Sequence, residues 1–295
     1  MIYGLVAAFG WGLSDLWAAI AGRRMGSGRT VVVAQAAAAA LVSLIVVFAR
    51  PDLSRLGTVV PWLVPNAFVG AAAFATLYRG LQLGPIAVVS PVLASYAVVP
   101  VLLSVILLGE SLGALGIAGV VVTISGAVLT STDLRADVRA LKTGNRRTFE
   151  GLPWAIASTL LFGVATYITG WASKEAGFLP SLWFGRLSMT TVFLVAALVV
   201  RLRSRAVRSG PPEAPEAVRP AIGLAILVGV VELLGTIAYA RGAEVGLVSI
   251  VTAASATYPL IPVFGGVALL HERPAPNQYL GVALVVAGLV VLGAA

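Results

Sequence analysis

The chain has 295 residues, of which 59% are hydrophobic and only 11% charged. A water-soluble domain carries about 25% charged residues to face solvent, so a mean hydropathy of +0.99 excludes a soluble enzyme, a disordered regulator and a nucleic-acid binder. The formal charge of +8 is read as a membrane-orientation signal, because the basic residues fall in short gaps between apolar runs.

A helix needs about 20 apolar residues to cross roughly 30 Å of hydrocarbon. Ten runs meet that requirement, at about 2–21, 30–49, 58–78, 85–108, 112–131, 152–172, 179–200, 220–240, 247–270 and 277–294. The first carries Asp15 and is followed, not preceded, by Arg23 and Arg24, which predicts a retained helix and not a cleaved signal peptide. Most connections are short. The two longer ones, Thr132–Gly151 and Arg201–Arg219, are basic and read as solvated linkers. Trp62, Trp154, Trp171 and Trp183 lie near helix ends, where aromatic anchors meet the membrane interface. Strand-like alternation is scarce, so the expected fold is an all-α integral membrane protein.

An internal repeat organises these ten helices. Arg79-Gly80 recurs as Arg241-Gly242, Tyr96 as Tyr258, Pro100-Val101 as Pro262-Val263, and Glu110 as Glu272. Gly119 and Gly126 recur as Gly281 and Gly288, and the earlier helices match Gly12 to Gly163 and Gly26 to Gly177. The expected units are 1–131 and 152–295, joined by a basic linker at 132–151. A unit that crosses the membrane five times ends on the side opposite its start, so its copy inserts upside down. Inverted repeats of this kind accompany alternating access in secondary transporters.

The repeat, the Phe9-Gly10-Trp11-Gly12 segment, the Gly109-Glu110 and His271-Glu272 ends of helices 4 and 9, and the glycine-rich helices 5 and 10 resemble EamA-type members of the drug/metabolite transporter superfamily. That resemblance implies export of small organic metabolites such as amino acids or drugs, usually in exchange for protons, by a protein of the cell membrane. It also implies cytoplasmic termini. A lipid flippase or scramblase on the same fold is the alternative, and a membrane-embedded enzyme a more distant one.

Charges inside a membrane helix cost roughly 2.5–3.5 kcal/mol each on insertion scales, so each needs a partner or a task. Asp15, Arg186 and Glu232 fall inside helices 1, 7 and 8, where the repeat places Thr166, Gln35 and Gly70. A structural pair would be expected to recur in both halves. The asymmetry therefore points to Glu232 as a proton-titrating carboxylate, with Asp15, Arg186 and Gln35 as substrate or proton contacts. An internal Arg186–Glu232 or Arg186–Asp15 ion pair is the plainer alternative. Trp11, Tyr96 and Tyr258 are candidates for a cavity wall. Both tyrosines lie four residues before a proline, and Pro100 and Pro262 are candidate hinges because proline removes a helical hydrogen bond.

Glu110, Glu272 and His271 at helix ends are expected to be solvated or capping, with gating across a closed state as the alternative. The spaced glycines of helices 5 and 10 predict tight packing in the bundle, with a homodimer contact as the alternative to a monomer. Cysteine is absent and His271 is the single histidine, so no metal centre is expected. No phosphate-binding loop or nucleophile elbow occurs either, which predicts a protein with no cofactor and no catalytic activity.

Orientation follows from the basic residues. Arg23, Arg24, Arg29, Arg79, Arg135, Arg139, Lys142, Arg146, Arg147, Arg201, Arg203, Arg205, Arg208, Arg219 and Arg273 share one side, against Arg50, Arg55, Lys174 and Arg241 on the other. This distribution places both termini outside, in opposition to the resemblance.

Overall fold

The computed structural model describes residues 1–83, 92–132, 146–205, 218–261, 264 and 275–294. Among these residues there is no strand, and ten helices follow one another. In chain order they are α1 (Ile2–Met25), α2 (Ser27–Ala49), α3 (Leu56–Leu83), α4 (Val98–Leu107), α5 (Ala114–Thr130), α6 (Arg146–Ala176), α7 (Phe178–Arg205), α8 (Val218–Val245), α9 (Val248–Ser255) and α10 (Pro276–Ala294). Seven of them (α1, α2, α3, α6, α7, α8 and α10) are long and apolar enough to cross a membrane.

Helix positions agree with the apolar runs, but their ends differ. The helix expected from residue 152 begins at Arg146, and α7 continues to Arg205. Polar residues extend both into water, because a helix does not stop where the hydrocarbon does. The run at 247–270 is helical to Ser255, turns at residues 256–259 and is helical again at Leu260, Ile261 and Phe264. The matching stretch of the first half holds a 3-10 turn at Ser95–Ala97, just before α4. Both irregular turns therefore fall beside Tyr96 and Tyr258. Pro100, whose missing N–H frees a carbonyl one turn earlier, is buried at the start of α4. Pro262, Glu272 and His271, with most of both basic linkers, lie outside the described residues.

The interior is built from small side chains and the outside from large ones. Ala7, Ala38, Ala73, Ala155, Ala225 and Ala253 are fully buried, whereas Phe9, Phe48, Trp62, Phe68, Leu160 and Val200 are exposed. Large apolar groups face lipid at no cost, and small residues let backbones approach closely. Tight links between helices follow the same logic. Gly26 joins α1 to α2 at φ 85° and Gly177 joins α6 to α7 at φ 86°, a region open to glycine without strain.

The broadest interfaces join α1 to α8, α3 to α6 and α5 to α10, followed by α2 against α8 and α3 against α7. Each joins one half of the chain to the other. At α5–α10, the Gly126 carbonyl lies 2.9 Å from where a Gly281 Cβ would sit, and the Gly281 carbonyl lies 2.8 Å from where a Gly126 Cβ would sit. Gly119 packs on Leu292 and Gly288 on Thr123 in the same seam. The glycine stripe is thus used inside the chain. The Phe9-Gly10-Trp11-Gly12 segment has a similar reason: Gly10 lies against Gly235 of α8 and Gly12 against the Tyr258 carbonyl, while Phe9 points outward. Gly163, the counterpart of Gly12, lies against the Tyr96 carbonyl.

The packing is not uniform around the bundle. Helix α8 rests on α6 and α7, whereas α3 makes no comparable interface with α1 or α2 among the described residues. Of the four expected interfacial tryptophans, Trp62 and Trp171 meet edge to face at 5.9 Å. Trp183 turns inward to donate to Ser43 Oγ at 3.0 Å.

Candidate functional site

A cavity of about 360 Å³ lies between α1, α2, α3, α6, α7 and α8. Trp11, Asp15, Gln35, Tyr96, Arg186, Glu232 and Tyr258 all line it. The sequence reading left open whether Arg186 pairs with Glu232, with Asp15 or with neither. In the structure Arg186 is 7% exposed and reaches Glu232, with Nη2 2.9 Å from Oε2. Its Nη1 donates to Gln35 Oε1 at 2.7 Å. A guanidinium presents a planar fork of donors, and here the two prongs are divided between α2 and α8.

Thr236, one turn beyond Glu232 on α8, completes this centre. It donates to Glu232 Oε1 at 2.8 Å and accepts from Trp11 Nε1 at 3.1 Å. The Trp11 ring also lies 5.6 Å from Tyr239, so the indole is held from two directions. Tyr239 itself is nearly fully buried, and its hydroxyl lies 3.2 Å from the Thr166 carbonyl and 3.1 Å from Thr252 Oγ1. The rings of Tyr96 and Tyr258 come within 6.3 Å of each other.

Asp15 stands apart. Its side chain lines the cavity and is exposed to it, and among the described residues no hydrogen bond or ion pair reaches its carboxylate. Asn66 also lines the cavity. Its Nδ2 donates to the Ala165 carbonyl at 3.3 Å, while its Oδ1 is buried without a partner. Sequence reading missed Thr236, Tyr239 and Asn66. For Thr236 the signal was its position four residues after Glu232, on the same helix face.

Toward the end of the bundle that holds the N-terminus, Glu110 closes the space between α4, α6 and α9. It accepts from the Val248 N–H at 2.7 Å, the Ser249 N–H at 3.0 Å and Ser249 Oγ at 2.6 Å. Lys174 Nζ lies 3.4 Å away. A carboxylate there satisfies backbone donors that the first turn of α9 leaves open. Glu110 is therefore a cap, and it is buried rather than solvated. At the same end Arg241 pairs with Glu244 and lies over the Phe178 ring, and Glu244 accepts from the Phe178 N–H at 3.3 Å. Arg79 is exposed at the far end of α3.

No group of His, Asp or Glu suited to a metal occurs among the described residues.

Comparison with known proteins agrees with this architecture. A crystal structure described only as that of a protein superposes with a TM-score of 0.70 at 18% identity, covering 99% of this chain and 95% of that one. It shows a shared fold. No curated protein matches. The profile of the EamA-like transporter family matches residues 1–132 and 149–294. With seven helices long and apolar enough to cross a membrane, six of them around the cavity, and a family match over nearly the whole chain, the protein is a multi-pass membrane transporter and belongs to the EamA-like transporter family.

Proposed function

We propose that the protein is a proton-coupled secondary transporter that exports small organic metabolites by alternating access between two inverted five-helix units. The observation that carries this reading is the Gln35–Arg186–Glu232 centre within the cavity. Gln35 and Arg186 occupy equivalent places in the repeat and touch each other. Positions related by a two-fold axis meet their own mates only next to that axis, and the Tyr96–Tyr258 pair and, at the level of whole helices, the packing of α5 on α10 obey the same geometry. The uneven packing of α8 and α3 fits one of two interchangeable states, closed at the Glu110 end. The family profile, matched on both sides of the linker, supports units at 1–131 and 152–295.

Glu232 is the proposed proton carrier. Its side chain is 28% exposed, so a proton from the cavity can reach it. Protonation removes the charge that holds Arg186, leaving the guanidinium with Gln35 and free to reorganise. Coupling then follows from competition: Glu232 holds either Arg186 or a proton. Glu232→Gln keeps the size and the Thr236 contact but cannot titrate. In proteoliposomes it is expected to abolish pH-driven transport while leaving counterflow exchange partly intact, and full pH-driven activity would refute the role.

Orientation is the second part. The basic residues place both termini outside at the cell membrane, which puts the Glu110 end outside and makes this arrangement open toward the cytoplasm. A C-terminal fluorescent protein that matures only in the cytoplasm should stay dark in intact cells. Fluorescence there would reverse the assignment.

A further inference from the structure

Within the cavity, charge does not balance. Among the described residues, the charged side chains that line it are Asp15, Arg186 and Glu232, two acids against one base. The base is already occupied. Arg186 Nη1 is engaged by Gln35 and Nη2 by Glu232, so an anionic ligand would have to displace internal partners to reach it. Asp15 has no such engagement among the described residues. An unpaired charge in a membrane-embedded cavity is costly, and a bound cation would offset it.

The surroundings of Asp15 narrow the chemistry. Trp11 precedes it by four residues on α1, which puts the two on one helix face, and its indole is fixed by Thr236 and Tyr239. Tyr96 and Tyr258 line the same cavity. Aromatic faces attract cations, most strongly where water is displaced. Asn66, whose Nδ2 donates to the Ala165 carbonyl, lines the same cavity. An ammonium group has three donors to offer a carboxylate. At about 360 Å³ the cavity is at the lower end of the range for small-molecule sites, and much of its wall is apolar.

We propose that this cavity binds a small aromatic or aliphatic amine as its cation, with the ammonium on Asp15 and the apolar body among Trp11, Tyr96 and Tyr258. The proposal rests on the transporter reading only for the movement of that amine, and not for its binding.

The test is equilibrium binding to the purified full-length protein in detergent, using radiolabelled phenethylamine, its neutral analogue 2-phenylethanol and the anion phenylacetate. Wild type should bind phenethylamine more tightly than either analogue. Asp15→Asn should weaken phenethylamine binding by about tenfold or more, the scale of a lost charge-assisted bond, with 2-phenylethanol binding unchanged. Asp15→Glu should restore the preference. Absence of phenethylamine binding, equal binding by Asp15→Asn, or tighter binding of phenylacetate overturns the proposal. The order of the three ligands on wild type decides the matter even if Asp15→Asn fails to fold. Flux of phenethylamine in proteoliposomes separates the two claims. Binding without flux sinks transport and leaves the amine site standing. Flux of phenylacetate by a protein that does not bind phenethylamine sinks the amine site alone.

Discussion

Gly229→Ala is expected to be the most damaging glycine-to-alanine change among the described residues. A Cβ at Gly229 would lie 2.1 Å from the Ala34 carbonyl oxygen and 2.8 Å from its carbon. Both are backbone atoms, so no rotamer change relieves the clash and α2 must move away from α8. Overpacking of this kind costs about 3 kcal/mol, the upper part of the usual range. The movement also has a functional side. Ala34 precedes Gln35, and Gly229 is three residues before Glu232, so separating these helices loosens the centre around Arg186. Thermal denaturation in detergent should show a clear loss for Gly229→Ala. Gly223→Ala on the same helix, where nothing lies within 4 Å of the new atom, should be neutral or mildly stabilising. Equal melting of the two variants would contradict the packing described for α2 and α8.

Arg186→Met carries the second large effect. Removing one partner from a buried ion pair leaves the other charge uncompensated, a loss of about 3–5 kcal/mol. Here Glu232 would keep only Thr236, and Gln35 would lose its short contact. Replacing both charges is a different perturbation. Arg186→Met combined with Glu232→Met removes the uncompensated charge, and a double-mutant comparison should recover most of the stability. pH-driven transport should be absent in the double variant, because neither the proposed proton carrier nor its competitor is left. A double variant no more stable than Arg186→Met would show that the pair is not coupled. Together with Glu232→Gln, this set separates what the pair does for folding from what it does for coupling.

Much of the fold was legible because crossing a membrane imposes a length and a composition. The helix positions follow from that constraint, seven of them long enough to span, and the glycine seam of α5 and α10 follows from small residues recurring on one face. Helix ends were less legible, since Arg146 and Arg205 remain helical in water, where hydropathy carries no information. The break after Ser255 was not visible either. Ala256, Thr257 and Tyr258 are compatible with helix locally, and the turn depends on their neighbours. In the site, Asp15, Arg186 and Glu232 stood out because burying charge is expensive. Their partnership did not, because Asp15 and Glu232 were equally plausible mates for Arg186 until α2, α7 and α8 were placed together. Thr236, Tyr239 and Asn66 escaped notice because a neutral polar side chain costs little in an apolar run. Their importance lies in which atoms they meet.

The interlocking of the two halves has a consequence for how the protein is made. The broad contacts of α1, α3 and α5 are with α8, α6 and α10, segments that leave the ribosome later. The helices of the first half are therefore made with their small-residue faces uncovered, and they cannot complete their packing until the second half arrives. Contacts so distant along the chain form slowly, and exposed intermediates invite wrong partners. A chain halted after α5 would be inserted yet unfinished, a substrate for the quality-control machinery of the membrane. The two halves would have to be supplied together to rescue one another.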